Sequence, residues 1–118
     1  MVTVEVGLPD FCAELEAALE RQGLADVAAQ VRSAQIKSRC SCGEPDCATF
    51  TVESSRALNV VERNVIGERH GGSHEIEGLE GLVVVDLDNF GRLTQIEVLY
   101  RPDVADRLES LHLAGTAG

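Results

Sequence analysis

Two β-rich runs, Leu82–Leu87 and Leu93–Tyr100, flank the turn Asp88-Asn89-Phe90-Gly91, and this unit limits the fold more than any other. An Asp at the start of a turn bonds the backbone ahead of it, and a Gly near its end supplies positive φ. Two runs joined so tightly pair as antiparallel strands. A lone hairpin is marginal in water, so its apolar side needs cover from the rest of the chain.

That cover is legible upstream. Pro9 and Asp10 suit the first turn of a helix. Phe11, Leu15, Ala18, Leu19 and Gln22 then share one face, and Gly23 stands where a helix cap needs it. Leu24, Val27, Ala28 and Val31 repeat the spacing as a shorter second helix. Val2, Val4 and Val6 alternate with polar residues and predict a short opening strand. Ala34–Arg39 and Ala48–Glu53 read as two further strands, and Leu58–Ile66 as a third extended run. Gly67–Gly81 holds five glycines with mixed charges and reads as a mobile loop. Pro102 ends the last strand, and Val104–Leu111 forms a closing helix. The expected fold is α+β: N-terminal helices packed on one face of an antiparallel meander sheet, with a short C-terminal helix. Residues 1–113 are expected to form a single domain and residues 114–118 a disordered tail.

Charge narrows the partners. Twenty acidic residues against ten basic ones give a formal net charge of −10, which phosphate backbones repel. Aromatic residues make up 3% of the chain and none is Trp, so a base-stacking platform is also missing. Nucleic acid is therefore an unsuitable ligand, whereas a basic protein surface is a suitable one. The first seven residues have neither a basic nor an apolar signal region, and the longest purely apolar run is Leu82–Val85. No membrane partner is expected, and the chain reads as cytoplasmic.

The chemistry concentrates in one place. Three of the four cysteines lie in Cys40-Ser41-Cys42-Gly43-Glu44-Pro45-Asp46-Cys47, around a reversal at Gly43–Asp46. Cys40 and Cys42 are two apart on a strand and point to the same face, and Cys47 can fold back beside them. Thiolates at a hairpin tip are a common source of zinc ligands, so Cys40, Cys42 and Cys47 are the candidate metal ligands. The spacing is C-x-C followed by C-x4-C, and no second cysteine pair exists. A fourth ligand would come from Cys12, His70, His74 or His112. The same thiols can instead pack as small apolar groups, form a reversible Cys42–Cys47 or Cys40–Cys47 disulfide, or act as a nucleophile. A nucleophile needs a nearby cation; Lys37 and Arg39 precede the cluster, but Glu44 and Asp46 oppose them.

Other motifs are weaker. His70-Gly-Gly-Ser-His74 places two imidazoles in a loop, where that spacing carries no geometry. Asp86, Asp88, Gly91 and Glu97 copy part of a calcium loop, but Phe90 occupies a ligand position and both flanks read as strands. No serine has a nucleophile-elbow context, and Gly71-Gly72 lacks the phosphate-loop ending. Cys12 sits beside the apolar stripe of the first helix and reads as a core residue.

Leu24-Ala-Asp-Val-Ala-Ala-Gln30, Cys40-Ser-Cys-Gly43, Cys47-Ala-Thr-Phe50 and Ile96-Glu-Val-Leu-Tyr-Arg101 together resemble a family of small uncharacterised bacterial proteins with a C-x-C-G-x-x-x-C-A-T-F segment. The similarity spans about Leu24 to Leu108, and Cys40, Cys42, Gly43, Cys47 and Phe50 carry it. This chain departs from the pattern after Phe50, where Thr51 stands in place of an aromatic. The resemblance implies a cytosolic bacterial domain and no particular reaction.

The expected function is a non-catalytic binding or interaction domain with a thiol cluster. The alternatives are a zinc- or thiol-dependent enzyme or sensor using Cys40, Cys42 and Cys47, and an acidic inhibitor or immunity-type protein. The flat, β-branched runs Leu82–Val85 and Ile96–Tyr100 also predict a homodimer built on the sheet.

Overall fold

A computed structural model of the chain describes residues 2–42, 44, 46–54 and 71–111. Its elements in order are α1 (Val4–Gly7), α2 (Pro9–Arg21), α3 (Ala25–Val31), β1 (Gln35–Arg39), β2 (Phe50–Glu53), β3 (Gly72–Glu75), β4 (Leu82–Leu87), β5 (Leu93–Leu99) and α4 (Pro102–Glu109). The architecture is α+β, with helices at both ends and an antiparallel sheet between them.

The strands run in the order β1-β2-β5-β4-β3, and every neighbouring pair is antiparallel. The sheet thus joins a β1–β2 hairpin to a β3–β4–β5 meander. Strand β5 lies beside β2, and β3 takes the far edge. Sequence neighbours alone do not give this order.

Burial alternates along the central strands as the period of two requires. Val83, Val85 and Leu87 on β4, Ile96 and Val98 on β5, and Phe50 and Val52 on β2 are buried. They form one core with Phe11, Leu15, Ala18 and Leu19 of α2, Val27 and Val31 of α3, and Val104 and Leu108 of α4. The opposite face mixes the half-buried Leu82, Val84 and Leu99 with a row of polar residues. In register, Ser38 lies beside Thr51, Thr51 beside Gln95, Gln95 beside Asp86 and Asp86 beside Ser73. Ser38 and Thr51 share a hydroxyl hydrogen bond of 2.7 Å, and Asp86 accepts from Gln95 at 3.0 Å and from the Ser73 hydroxyl. Beside this row, a hydrogen bond to Asp86 holds the Glu97 carboxyl above its ordinary pKa, helped by burial and charge repulsion.

The turn Asp88–Gly91 forms as expected. The Asp88 carboxylate accepts from the N–H groups of Phe90 and Arg92, both at 2.9 Å, and Gly91 has φ +78°. Gln30, wholly buried on α3, clamps this turn to the helices. Its amide donates to the Gly91 carbonyl at 2.7 Å and accepts from the Leu93 N–H at 3.0 Å.

Arg101, 3% exposed, ties the other end. Its guanidinium pairs with Asp103 at 2.9 Å and Glu14 at 3.0 Å, donates to the Glu80 carbonyl at 3.2 Å and lies 5.4 Å from the Phe11 ring centre. A single cation thereby links α2, α4 and the start of β4.

Two expectations need correction. The opening valines do not build a strand, since Val4–Gly7 is a single helical turn capped by the Thr3 hydroxyl, which accepts from Val6 N–H. Only Val2 and Thr3 are extended against the sheet: Thr3 bridges to Gln35, and Ile36 donates to the Val2 carbonyl at 2.8 Å. Pro9, already committed to the next helix, leaves too little chain for a longer strand. The described part of the Gly67–Gly81 loop contains β3. The open edge of β4 recruits it despite the glycines, and Ile76 anchors it in the core. The extended run expected at 58–66 and the tail at 114–118 lie outside the described residues.

Candidate metal centre

The cysteine segment is held from three sides by backbone bonds. At its start, Cys40 N–H donates to the Thr49 carbonyl at 2.8 Å. At its end, Cys47 N–H donates to the Glu44 carbonyl at 3.1 Å, which closes a turn. Sideways, Cys47 bridges to Leu99, and Ala48 donates to Val98 at 2.8 Å. The segment is therefore the tip of the β1–β2 hairpin leaning on the end of β5.

Tyr100 completes the frame. Its N–H donates to the Asp46 carbonyl at 2.8 Å, and its φ is +61°, in the left-handed region that a side chain disfavours. Among the described residues it is the one non-glycine with positive φ. The kink turns the chain from β5 into α4 while aiming Tyr100 N–H at the cysteine loop. Gly81, at φ +78°, makes room for the same corner: a Cβ there would lie 2.5 Å from the Leu99 carbonyl oxygen.

Within this frame the Sγ atoms of Cys40, Cys42 and Cys47 lie within 4.8 Å of one another. Tetrahedral zinc with Zn–S of about 2.3 Å sets its sulfurs about 3.8 Å apart, so small side-chain rotations suffice to close a site. Cys40 and Cys42 are exposed and Cys47 is half-buried. Three softly donating sulfurs in one exposed corner suit a thiophilic ion.

The thiols are not equivalent. Burial alone would raise the Cys47 pKa, but hydrogen bonds from the backbone and hydroxyl of Thr49, then from Cys42 and Cys40, bring it below its ordinary value. For Cys42 the Glu44 backbone bond favours the thiolate, yet the hydrogen bonds linking it to Cys40 and Cys47 leave its pKa raised. Of these two thiols, Cys47 is the one whose surroundings favour the thiolate.

The other sequence candidates stand apart from this group. Cys12 is buried on α2 with its thiol donating to Glu16 at 3.3 Å, and burial, with that bond next, pushes its pKa up to about 12. It is a core residue, as expected. His74 lies on β3 opposite Val85 and outside the sulfur group. His70 and His112 lie outside the described residues. Among the described residues no His, Asp or Glu joins the three sulfurs. Asp86, Asp88 and Glu97, the partial calcium pattern, form no such group, and Asp88 is spent on its own turn and on Arg92 at 2.9 Å.

Two parts of the centre carry little signal in the sequence. Thr49 interlocks with β5, its hydroxyl accepting from Val98 N–H at 3.0 Å while it also serves Cys47. A Thr two residues after a cysteine was the available clue. Tyr100 gave none, because its role belongs to the backbone.

No family model, curated protein or solved structure matches this chain. No helix among the described residues is long and apolar enough to cross a membrane.

Proposed function

We propose that the protein is a small metal-binding domain that holds one zinc ion through Cys40, Cys42 and Cys47, and that it binds a partner rather than catalysing a reaction. The observation carrying this reading is the convergence of three Sγ atoms within 4.8 Å in a loop fixed by backbone bonds. A frame built before the metal arrives lowers the ordering cost of binding it. The non-catalytic part rests on what surrounds the sulfurs. Among the described residues no imidazole or carboxylate stands with them as a general base, and Glu14, Asp88 and Asp103 are engaged in ion pairs.

The test is a zinc titration against a chromophoric chelator. The expected result is one zinc per chain, lost in C40S, C42S and C47S and kept in C12S. Freely titrating thiols with no competition for zinc would reject the reading.

Assembly belongs to the same proposal. The apolar side of the sheet is covered by the chain's own helices, so a homodimer would form through the strand edges. Val2 and Thr3 lie along the outer side of β1, whereas β3 pairs on one side only among the described strands, and a second copy adding to β3 gives a closed two-fold pair. Light scattering at micromolar concentration should then give twice the chain mass of 12.6 kDa. A mass of one chain would reject the dimer and leave the metal reading intact.

A further inference from the structure

The metal reading leaves one coordination position unaccounted for, and the following inference rests on that reading. Zinc sites that serve structure are closed by four protein ligands, whereas sites that exchange ligands keep one position open. Here three donors converge, and no fourth His, Asp, Glu or Cys among the described residues joins them. Glu44 and Asp46 belong to the same loop, yet neither carboxylate stands within the sulfur group. The fourth cysteine, Cys12, is in the helical core. Cys40 and Cys42 are exposed, so an ion held by the three thiolates would be reachable from solvent.

We infer that the protein supplies three ligands only, and that the fourth position accepts an external soft donor: a low-molecular-weight thiol. Softness selects it, because an ion already held by three thiolates and reachable from solvent favours a fourth sulfur over a carboxylate oxygen. Access suits a small thiol too, since Cys40 and Cys42 are exposed at the loop tip. The exchange is balanced: the incoming thiol gives its proton to solvent, its sulfur bonds the metal, and one bound water leaves. No electron moves. The centre is then a place where a metal–thiol adduct is made and released, not a sealed structural knot.

Cobalt(II), a spectroscopic stand-in for zinc, tests this on the full chain. Its sulfur-to-metal charge-transfer absorbance scales with the number of bound thiolates. One equivalent of cobalt, loaded without oxygen, should give a three-sulfur spectrum. Adding 2-mercaptoethanol should raise that absorbance by about one third, for three sulfurs becoming four, with cobalt still on the protein after gel filtration. H70A and H112A should start from the same spectrum and show the same gain. An absorbance unchanged by the thiol, or cobalt stripped from the protein, would overturn the inference. So would an altered starting spectrum in H70A or H112A, which would assign the fourth position to that imidazole. A chain that takes up no cobalt would instead reject the metal reading beneath it, an outcome the first titration already separates.

Discussion

At the scale of single residues, a few polar side chains do what the apolar pattern cannot. Gln30 has no apolar reason to be buried; it is inside because its amide matches one free carbonyl and one free N–H of the hairpin turn. Gln30→Leu leaves both unmet and should cost about 2–6 kcal/mol, at about 1–3 kcal/mol per buried unsatisfied group, read by urea denaturation. Stability within 0.5 kcal/mol of the parent, roughly the scatter of ordinary surface substitutions, would show that water replaces the clamp. The thiols follow the same logic of partners. Metal must displace their protons, so zinc affinity should fall with pH, by up to about a thousandfold per unit where all three are still protonated. A pH-independent affinity between 6 and 8 would mean that thiolates are not the ligands. Little of this is visible in the sequence: Gln30 looks like an ordinary helix residue, and only the cysteine spacing announces its own chemistry.

At the scale of elements, local signals worked wherever the chain closes on itself within a few residues. The helices from Pro9 and Leu24, the cysteine hairpin and the Asp88–Gly91 turn each carry their own instructions in caps, spacing and glycines. The differences were one alternation outweighed by a nearby cap and proline, and one strand defined by a distant edge. The Val2–Val6 alternation fits a strand, but the Thr3 cap and Pro9 turn it into a helix. β3 exists because β4 offers it an edge, although its own residues are glycine-rich and polar. Its one internal clue was Ile76, an apolar residue in an otherwise polar stretch.

The corner formed by Gly81, Tyr100 and Arg101 is of the same long-range kind, and it supports the cysteine loop. Tyr100→Gly should relieve backbone strain of about 1 kcal/mol and leave zinc affinity unchanged, because the N–H to Asp46 is retained. Weakened zinc binding in that variant would mean that the Tyr100 side chain, not its backbone, supports the loop. Arg101→Ala should lower stability by about 2–3 kcal/mol, since it removes a packed stem, two ion pairs and a ring contact together. A loss under 0.5 kcal/mol would show the clamp to be ornamental, in the range of exposed ion pairs.

For the whole molecule, net charge governs both the choice of partner and the response to acid. A formal −10 on 118 residues disfavours nucleic acid, and anisotropy titration should detect no DNA or RNA binding at physiological salt. Micromolar binding would require a basic patch that the composition does not announce. Acid should destabilise the fold. Hydrogen bonding to Arg101 is the main cause holding Asp103 below its ordinary pKa, and for Glu16 the main cause is Arg32. Groups with lowered folded pKa values contribute fully above the ordinary carboxylate range and lose that contribution as pH falls through the folded values. Thermal unfolding should therefore move to lower temperature below about pH 4, the ordinary carboxylate range, and be nearly flat between 6 and 8 in the metal-free protein.

The most direct measurement is elemental analysis of untagged protein purified without chelators, beside the C40S/C42S/C47S triple variant. One zinc per chain is expected in the parent and none in the variant, with both chains folded by circular dichroism. A parent that is folded and free of metal, or a variant that keeps its zinc, would contradict the metal reading.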